Sequence, residues 1–328
     1  MTNRRLFIAL ALVAPLGCST TTPQTIKVWR IGTLSAAPPP PGLSSGPLTA
    51  GLSDMGLEEG RDFVYVRSYH DDKPERMAAA AAELVAQKAD VIVVGATATA
   101  LAAKKATATI PIVMLAVGDP VANGLVSSLE SPGGNVTGLT TVPPGLNALR
   151  LRLLREAVPG ITNVALLWAP HHPGHAAVVE EVEQAARALG VATQRVMLRS
   201  GDDVAGAIRR LARQRHGGAF AVDQPLLYGP AVRDSLFPAI VKARVPCVTP
   251  DRAQAQAGAL MSYGVDLDAT NRRGAYYVQQ VLGLGARPGD LAVEVPSQFQ
   301  FVVNAKTAAA IGVRLPASIT SRASEVIR

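Results

Sequence analysis

Aromatic side chains are scarce in this chain, at 4% of its 328 residues, and no run of lysine and arginine is interleaved with them. A surface that reads nucleic acid combines a basic patch with stacking rings, so the composition argues against that class of partner. Charged residues are also few, 17% against 48% hydrophobic. Such a balance argues against disorder and supplies enough apolar surface for two domains of ordinary size. A complete phosphate loop is missing: Gly46 to Gly51 has the first spacing, but Leu52-Ser53 follows instead of lysine. Gly283-Leu284-Gly285 continues to Gly289 and trails a helix-like segment, so it is no dinucleotide fingerprint. With no nucleophile elbow, metal motif or cofactor fingerprint either, neither an ATPase nor a cofactor-bearing enzyme is expected.

Long apolar runs are absent as well. The run Leu6 to Val13 is too short for a permanent membrane span. It follows the basic Arg4-Arg5 and precedes small residues, the layout of an export signal. Leu16-Gly17-Cys18-Ser19 resembles a bacterial lipobox, which would acylate Cys18 and make it the first mature residue. Pro15 departs from that pattern, and simple cleavage to a free periplasmic protein is the alternative. Asn3-Arg4-Arg5-Leu6-Phe7 fits either a twin-arginine signal or an ordinary basic leader. Loss of the two leader arginines takes the formal charge from +7 to about +5, a thin bias toward anions. The only other cysteine, Cys247, lies in the apolar run Val245-Pro246-Cys247-Val248 and is expected to be a buried small hydrophobe, so no internal disulfide is available.

What the chain does have is regular alternation of short apolar runs with helical periodicity. Strands are predicted over Ile26–Leu34, Phe63–Arg67, Asp90–Val94, Ile112–Ala116, Asn163–Trp168, Thr193–Met197, Ala219–Val222, Cys247–Thr249, Leu260–Ser262 and Phe299–Val303. Helices are predicted between most of them, including Arg76–Gln87, Val178–Leu189, Ala205–Arg215 and Ala269–Leu282. Continuous runs such as Val91-Ile92-Val93-Val94 suit parallel strands covered on both faces. The pattern restarts near Val164, after a break at Pro143-Pro144-Gly145, which predicts two doubly wound α/β domains. The tail beyond Ser262, one long helix and then a strand, fits a chain that crosses back to the first domain and returns.

The sequence closely resembles the family of ABC-transporter substrate-binding proteins that includes tryptophan- and tyrosine-type binding proteins. The resemblance is carried by Gly51-Leu52-Ser53-Asp54-Met55-Gly56 with Glu59-Gly60, Val117-Gly118-Asp119-Pro120-Val121, Pro132-Gly133-Gly134-Asn135-Val136-Thr137-Gly138, Met261-Ser262-Tyr263-Gly264 and Asn304-Ala305-Lys306-Thr307-Ala308. It implies a type I periplasmic-binding-protein fold: two Rossmann-like lobes, a hinge of three crossings and a central ligand cleft. The implied division is a leader and tether over 1–25, one lobe from 26–143 with 264–296, and the other from 144–263 with 297–328. It further implies a non-enzymatic receptor outside the cytoplasm that hands a small solute, an amino acid with aromatic ones as candidates, to a permease driven by a separate ATPase subunit, a shuttle that a monomer suits. A sensor subunit would use the same closing cleft, and an exported enzyme built on Asp119 and a histidine is a further alternative.

Ligands of open α/β sheets sit beyond the carboxyl ends of the strands. A zwitterion there needs donors for its carboxylate, an acid for its ammonium and a wall for its side chain. Thr97 and Thr99 fall where a strand turns into a helix, whose free N–H groups attract anions; helix capping by Thr97 gives the same pattern. Asp119 and Asp223 follow strands in the two halves and are candidates for the ammonium, although an Asp before Pro120 also suits a self-capped turn. Ser35 is a further donor. Tyr263 and Trp168 are candidate walls or packing residues, and Arg252 either meets a carboxylate or caps its turn. His171, His172 and His175 lack accompanying carboxylates or thiolates and are read as a solvated loop rather than a metal site.

Overall fold

The computed structural model describes residues 27–35, 46–71, 73–141, 143, 145–170, 174–213 and 217–328. Cys18, the leader, His171 and His172 lie outside them. The first sheet contains β1 (Trp29–Ser35), β2 (Phe63–Tyr69), β3 (Val91–Val94), β4 (Ile112–Val117) and β5 (Val136–Thr140), all parallel, in the order β2-β1-β3-β4-β5. The helices α1 (Pro47–Asp54), α2 (Met77–Ala86) and α3 (Thr97–Ala106) cover it. Its central strands are apolar on both faces because both faces are covered, which is why they read as unbroken Val/Ile runs.

The second half repeats this winding. Its sheet is built from β6 (Asn163–Trp168), β7 (Ala192–Met197), β8 (Gly217–Ala221), β9 (Cys247–Thr249), β10 (Met261–Val265), β11 (Phe299–Asn304) and β12 (Glu325–Ile327), ordered β12-β11-β10-β9-β8-β6-β7. The β10–β11 pairing is antiparallel and the other described pairings are parallel, so β11 and β12 both run opposite to the rest of the sheet. Around it lie α4 (Leu146–Ala157), α5 (His175–Ala188), α6 (Asp203–Ala212), α7 (Pro230–Lys242), α8 (Arg252–Ala257), α10 (Ala305–Ile311) and α11 (Ala317–Thr320). The remaining helix, α9 (Leu267–Leu282), leaves this half and packs on α1 and β4 of the first.

Two strands escape the sequence pattern. In β5, Gly138 interrupts the apolar run and has φ +123°; a Cβ there would lie 2.1 Å from the Met114 carbonyl oxygen, at the point where the β4 and β5 register shifts. β12 is a half-exposed three-residue strand with no apolar run to mark it.

The chain passes between the lobes after β5, after β10 and before β11, and the three passages are tied together. Asp266 caps α9 by accepting from the Ala269 N–H at 2.9 Å, and its other oxygen accepts from Gln300 Nε2 at 2.6 Å, joining the second passage to the third. Glu294 pairs by backbone hydrogen bonds with Gly138 and Thr140, joining the third to the first. Gly51 lets α1 approach α9, since a Cβ there would lie 2.4 Å from the Arg272 carbonyl oxygen and 2.8 Å from the Ala275 Cβ. We therefore expect Gly51→Ala to destabilise the protein by about 1–3 kcal/mol through overpacking against main chain. Urea unfolding measures it, and unchanged stability would mean that the two helices separate freely.

Candidate functional site

In a sheet wound 2-1-3-4-5 the crevice opens where the connections diverge, between the first and third strands. The first lobe puts β1 and β3 there. Ser35 ends β1 and its carbonyl accepts from the His70 N–H at 3.1 Å. Thr97 and Thr99 occupy the first turn of α3, both buried. The cap residue is Ala96 rather than Thr97, so no cap side chain satisfies the first-turn amides, and no acid sits in that turn. Thr99 Oγ1 instead donates back to the Ala96 carbonyl at 2.9 Å. The positive end of α3 is thereby left toward the crevice, flanked by hydroxyls.

In the second lobe the equivalent crevice lies between β6 and β8, and His175 bridges it. Its Nδ1 accepts from the Ala169 N–H at 3.3 Å, just beyond β6, and so Nε2 carries the proton and donates to the Asp223 carbonyl at 2.8 Å, just beyond β8. The expectation of a solvated histidine fails for this residue: it is buried at the first position of α5, held by two main-chain partners. Among the described residues no group of histidine, cysteine and acidic side chains is arranged to hold a metal.

Asp223 Oδ1 accepts from the Tyr228 hydroxyl at 2.7 Å. Beneath it lies Arg150 of α4, only 2% exposed. Its Nε donates to the Tyr263 carbonyl at 2.5 Å and Nη1 to Asn147 Oδ1 at 2.9 Å, while Asn147 Nδ2 donates to Glu181 Oε2 at 2.9 Å. Burial lowers the guanidinium pKa, and Asp223 opposes that most strongly. Burial also raises the Tyr228 hydroxyl well above its ordinary value, with Asp223 and Asp251 adding to the effect. Asp251 is raised by burial and then by repulsion from Asp223, while N–H groups of α8 pull the other way. One buried cation thus faces Asp223 and Glu181, while Asp251 stands near enough to Asp223 to repel it, an acid excess that favours a cationic group of a ligand.

The remaining predicted residues lie elsewhere. Asp119 is exposed and closes its own turn: Oδ1 accepts from the Ala122 N–H at 2.9 Å and the carbonyl accepts from Asn123 Nδ2 at 2.8 Å. Tyr263 stacks on Phe299 with ring centroids 5.8 Å apart, in a groove of about 530 Å³ at the hinge that Pro143, Leu149 and Arg152 also line. Neither crevice includes it. Trp168 packs against the second-lobe core beneath Arg195, and Arg252 pairs with Glu325 of β12 at 2.6 Å. Cys247 is fully buried, and burial pushes its thiol pKa up, so it is no nucleophile. Arg150, Tyr228 and Asn147 are the residues that sequence reading missed. Arg150 had a signal: it interrupts the apolar stripe of Leu146, Leu153, Leu154 and Ala157 on its helix. The two lobes meet at Asn123 and Gly174, where a Cβ on the glycine would lie 3.6 Å from Asn123 Nδ2.

The family described as ABC transporter substrate binding protein matches residues 43–327, and the chain belongs to that family. A tyrosine-binding protein of Clostridioides difficile (strain R20291) is 26% identical over 267 residues, covering 79% of this chain and 74% of that one. A conserved domain protein from Vibrio cholerae O1 biovar El Tor superposes with a TM-score of 0.82 at 27% identity, over 92% of this chain and all of the other. The ABC domain from Streptococcus pneumonia in complex with L-Trp gives 0.82 at 23% identity, with the same coverage. The two-lobed periplasmic-binding architecture with parallel sheets is therefore the fold of this protein.

The electrostatics of the second-lobe crevice have a measurable consequence. Because the Asp251 carboxyl titrates above its ordinary value in the folded protein, the folded state holds that proton more tightly than the unfolded state. Its contribution to stability therefore falls as pH rises from the ordinary carboxylate range through the raised value. Asn at this position keeps an acceptor for the Ala253 N–H and removes the charge. Asp251→Asn is expected to raise the stability of the ligand-free protein at pH 7 and to flatten its dependence between pH 4 and pH 7, read by urea unfolding at both. A loss of stability at pH 7 would show that the ionised carboxylate is needed by the fold itself.

Proposed function

We propose that this chain captures an amino acid outside the cytoplasm and delivers it to the permease of an ABC importer. The reading rests on one observation: the two crevices carry opposite electrostatic character, the uncapped amino end of α3 in one lobe and the acid-rich cluster around Asp223 in the other. A zwitterion laid across the cleft satisfies both. Its carboxylate takes the N–H groups of the first turn of α3, at Thr97 and Thr99, with the hydroxyls of Thr97 and Ser35, and its ammonium takes Asp223. The relatives are in keeping with this, one being named for tyrosine and another described with L-Trp. Asp119, occupied by its own turn, is left the lesser candidate of the two aspartates.

Each lobe alone offers half of the contacts, so the solute binds the closed form more tightly than the open one, and that difference drives closure about the three passages. In this reading the rim where Asn123 approaches Gly174 is part of the surface that a permease recognises in the closed form. Substrate-binding proteins of ABC importers are extracytoplasmic and are not enzymes, and no helix among the described residues is long and apolar enough to cross a membrane. In this reading the tether ends in a lipid at Cys18, the lobes divide at about residues 143, 264 and 296, and a monomer shuttles between solute and permease.

Thermal unfolding of the purified protein against the common amino acids tests the proposal. A solute at a hundred times its dissociation constant stabilises the native state by about 2.7 kcal/mol. One chemical class of amino acid is expected to give that shift. Asp223→Asn is expected to weaken its binding by about ten- to a hundredfold, the value of a hydrogen bond to a charged group. Absence of any shift across all amino acids, with a cooperatively unfolding protein, would overturn the amino-acid reading.

A further inference from the structure

Among the described residues, four carboxamide residues are buried, Asn147, Asn304, Gln224 and Gln254, and the first two are engaged at both ends. Asn147 uses both ends, on Arg150 and Glu181, and Asn304 uses both, accepting from the Thr307 N–H and donating to the Ala255 carbonyl. Gln224 and Gln254 differ. They are 1% and 0% exposed, and neither the oxygen nor the nitrogen of either amide has a hydrogen-bond partner among the described residues. A primary amide offers two donors and an acceptor with two lone pairs, and proteins rarely bury one without using it.

Their positions coincide with the crevice of the second lobe. Gln224 directly follows Asp223 at the end of β8. Gln254 lies one helical turn beyond Asp251 in α8, on the same helix face, after the adjacent strand β9. Asp251 and Asp223 are near enough to repel, and Tyr228 feels both carboxylates while donating to one. The two idle amides therefore flank the acid cluster already assigned to the ammonium.

We infer that Gln224 and Gln254 form a second recognition point in the cleft, one that takes a neutral group of the solute able both to donate and to accept hydrogen bonds, a carboxamide or a hydroxyl on its side chain. This rests on the amino-acid reading above and narrows it. A hydrocarbon side chain placed there leaves four amide atoms buried and unpaired, whereas a side chain of the same size with a polar end satisfies them. The selection is against the apolar analogue, because the penalty falls on the site's own polar atoms. The neutrality follows from two requirements: the acid excess repels a further carboxylate, and an ammonium, which only donates, leaves the amide N–H groups unpaired.

The test compares solute pairs matched in size, glutamine against methionine and tyrosine against phenylalanine, by calorimetry on the intact protein, its Gln224→Met variant and its Gln254→Met variant. Ligand-free melting temperatures are recorded in parallel. In the unaltered protein the polar member of at least one pair should bind at least about tenfold more tightly. Either substitution should erase the preference while keeping or raising the ligand-free melting temperature, since no internal hydrogen bond is lost. Equal or tighter binding of the apolar member in both pairs overturns the inference. So does a ligand-free melting temperature lower by more than about 4 °C in both variants, the mark of amides that hold the fold together. If no amino acid binds, the amino-acid reading fails separately, and the ligand-free melting temperatures alone decide the inference: a rise supports idle amides and a fall overturns them.

Discussion

The buried guanidinium of Arg150 is the interaction on which the organisation of the second lobe turns. It is held in α4, the first helix after the chain enters that lobe, and it reaches the main-chain oxygen of Tyr263 in β10, the last strand before the chain leaves. The same group lies in the field of Asp223 at the end of β8. Passage and binding crevice are thus referred to one rigid, planar cation. Taking a charge out of water is costly, and the cost is met only because oxygens surround it in the right geometry. Removing it would strand the Tyr263 carbonyl and the acids together.

Close approach of main chain makes this possible. Gly264, beside Tyr263, stands where a Cβ would lie 1.8 Å from the Pro250 carbonyl oxygen and 3.5 Å from Arg150 Nη2. Gly274 of α9 stands where a Cβ would lie 2.1 Å from the Leu115 side chain. Small residues at the places where the chain leaves one lobe and docks on the other let strands and helices meet without a side chain between them. The passages are consequently short and mutually hydrogen-bonded, which suits a rotation of whole lobes better than a local unfolding.

The two crevices show how one winding produces two chemistries. Both sheets diverge at the same topological place, yet one presents helix N–H groups with hydroxyls and the other presents acids around a buried cation. The difference lies in the residues just beyond the strands: Ala96-Thr97 after β3 leaves helix donors uncapped, whereas Asp223-Gln224 after β8 adds acceptors. His175, neutral and bonded to main chain on both sides, keeps the acid-bearing edge in register with β6.

The alternation of short apolar runs with helical periods was enough to establish a doubly wound protein of two halves, because burial on both faces imposes an unbroken Val/Ile pattern whatever the surroundings. Family motifs spread along the chain were legible for the same reason: each is a local turn, cap or strand. The strand β5 was not, since its central glycine answers to a carbonyl of the neighbouring strand and not to anything adjacent in sequence. Nor was the difference between Asp119 and Asp223. Each follows a strand, and nothing local tells them apart; the first is consumed by its own loop and the second is aimed at Tyr228 and Arg150. The pairing of Arg150 with Tyr263 spans 113 positions. Periodicity reports what lies within a few residues, and the order of strands in a sheet decides which distant side chains meet, so the poles of the site exist only once the sheets are wound.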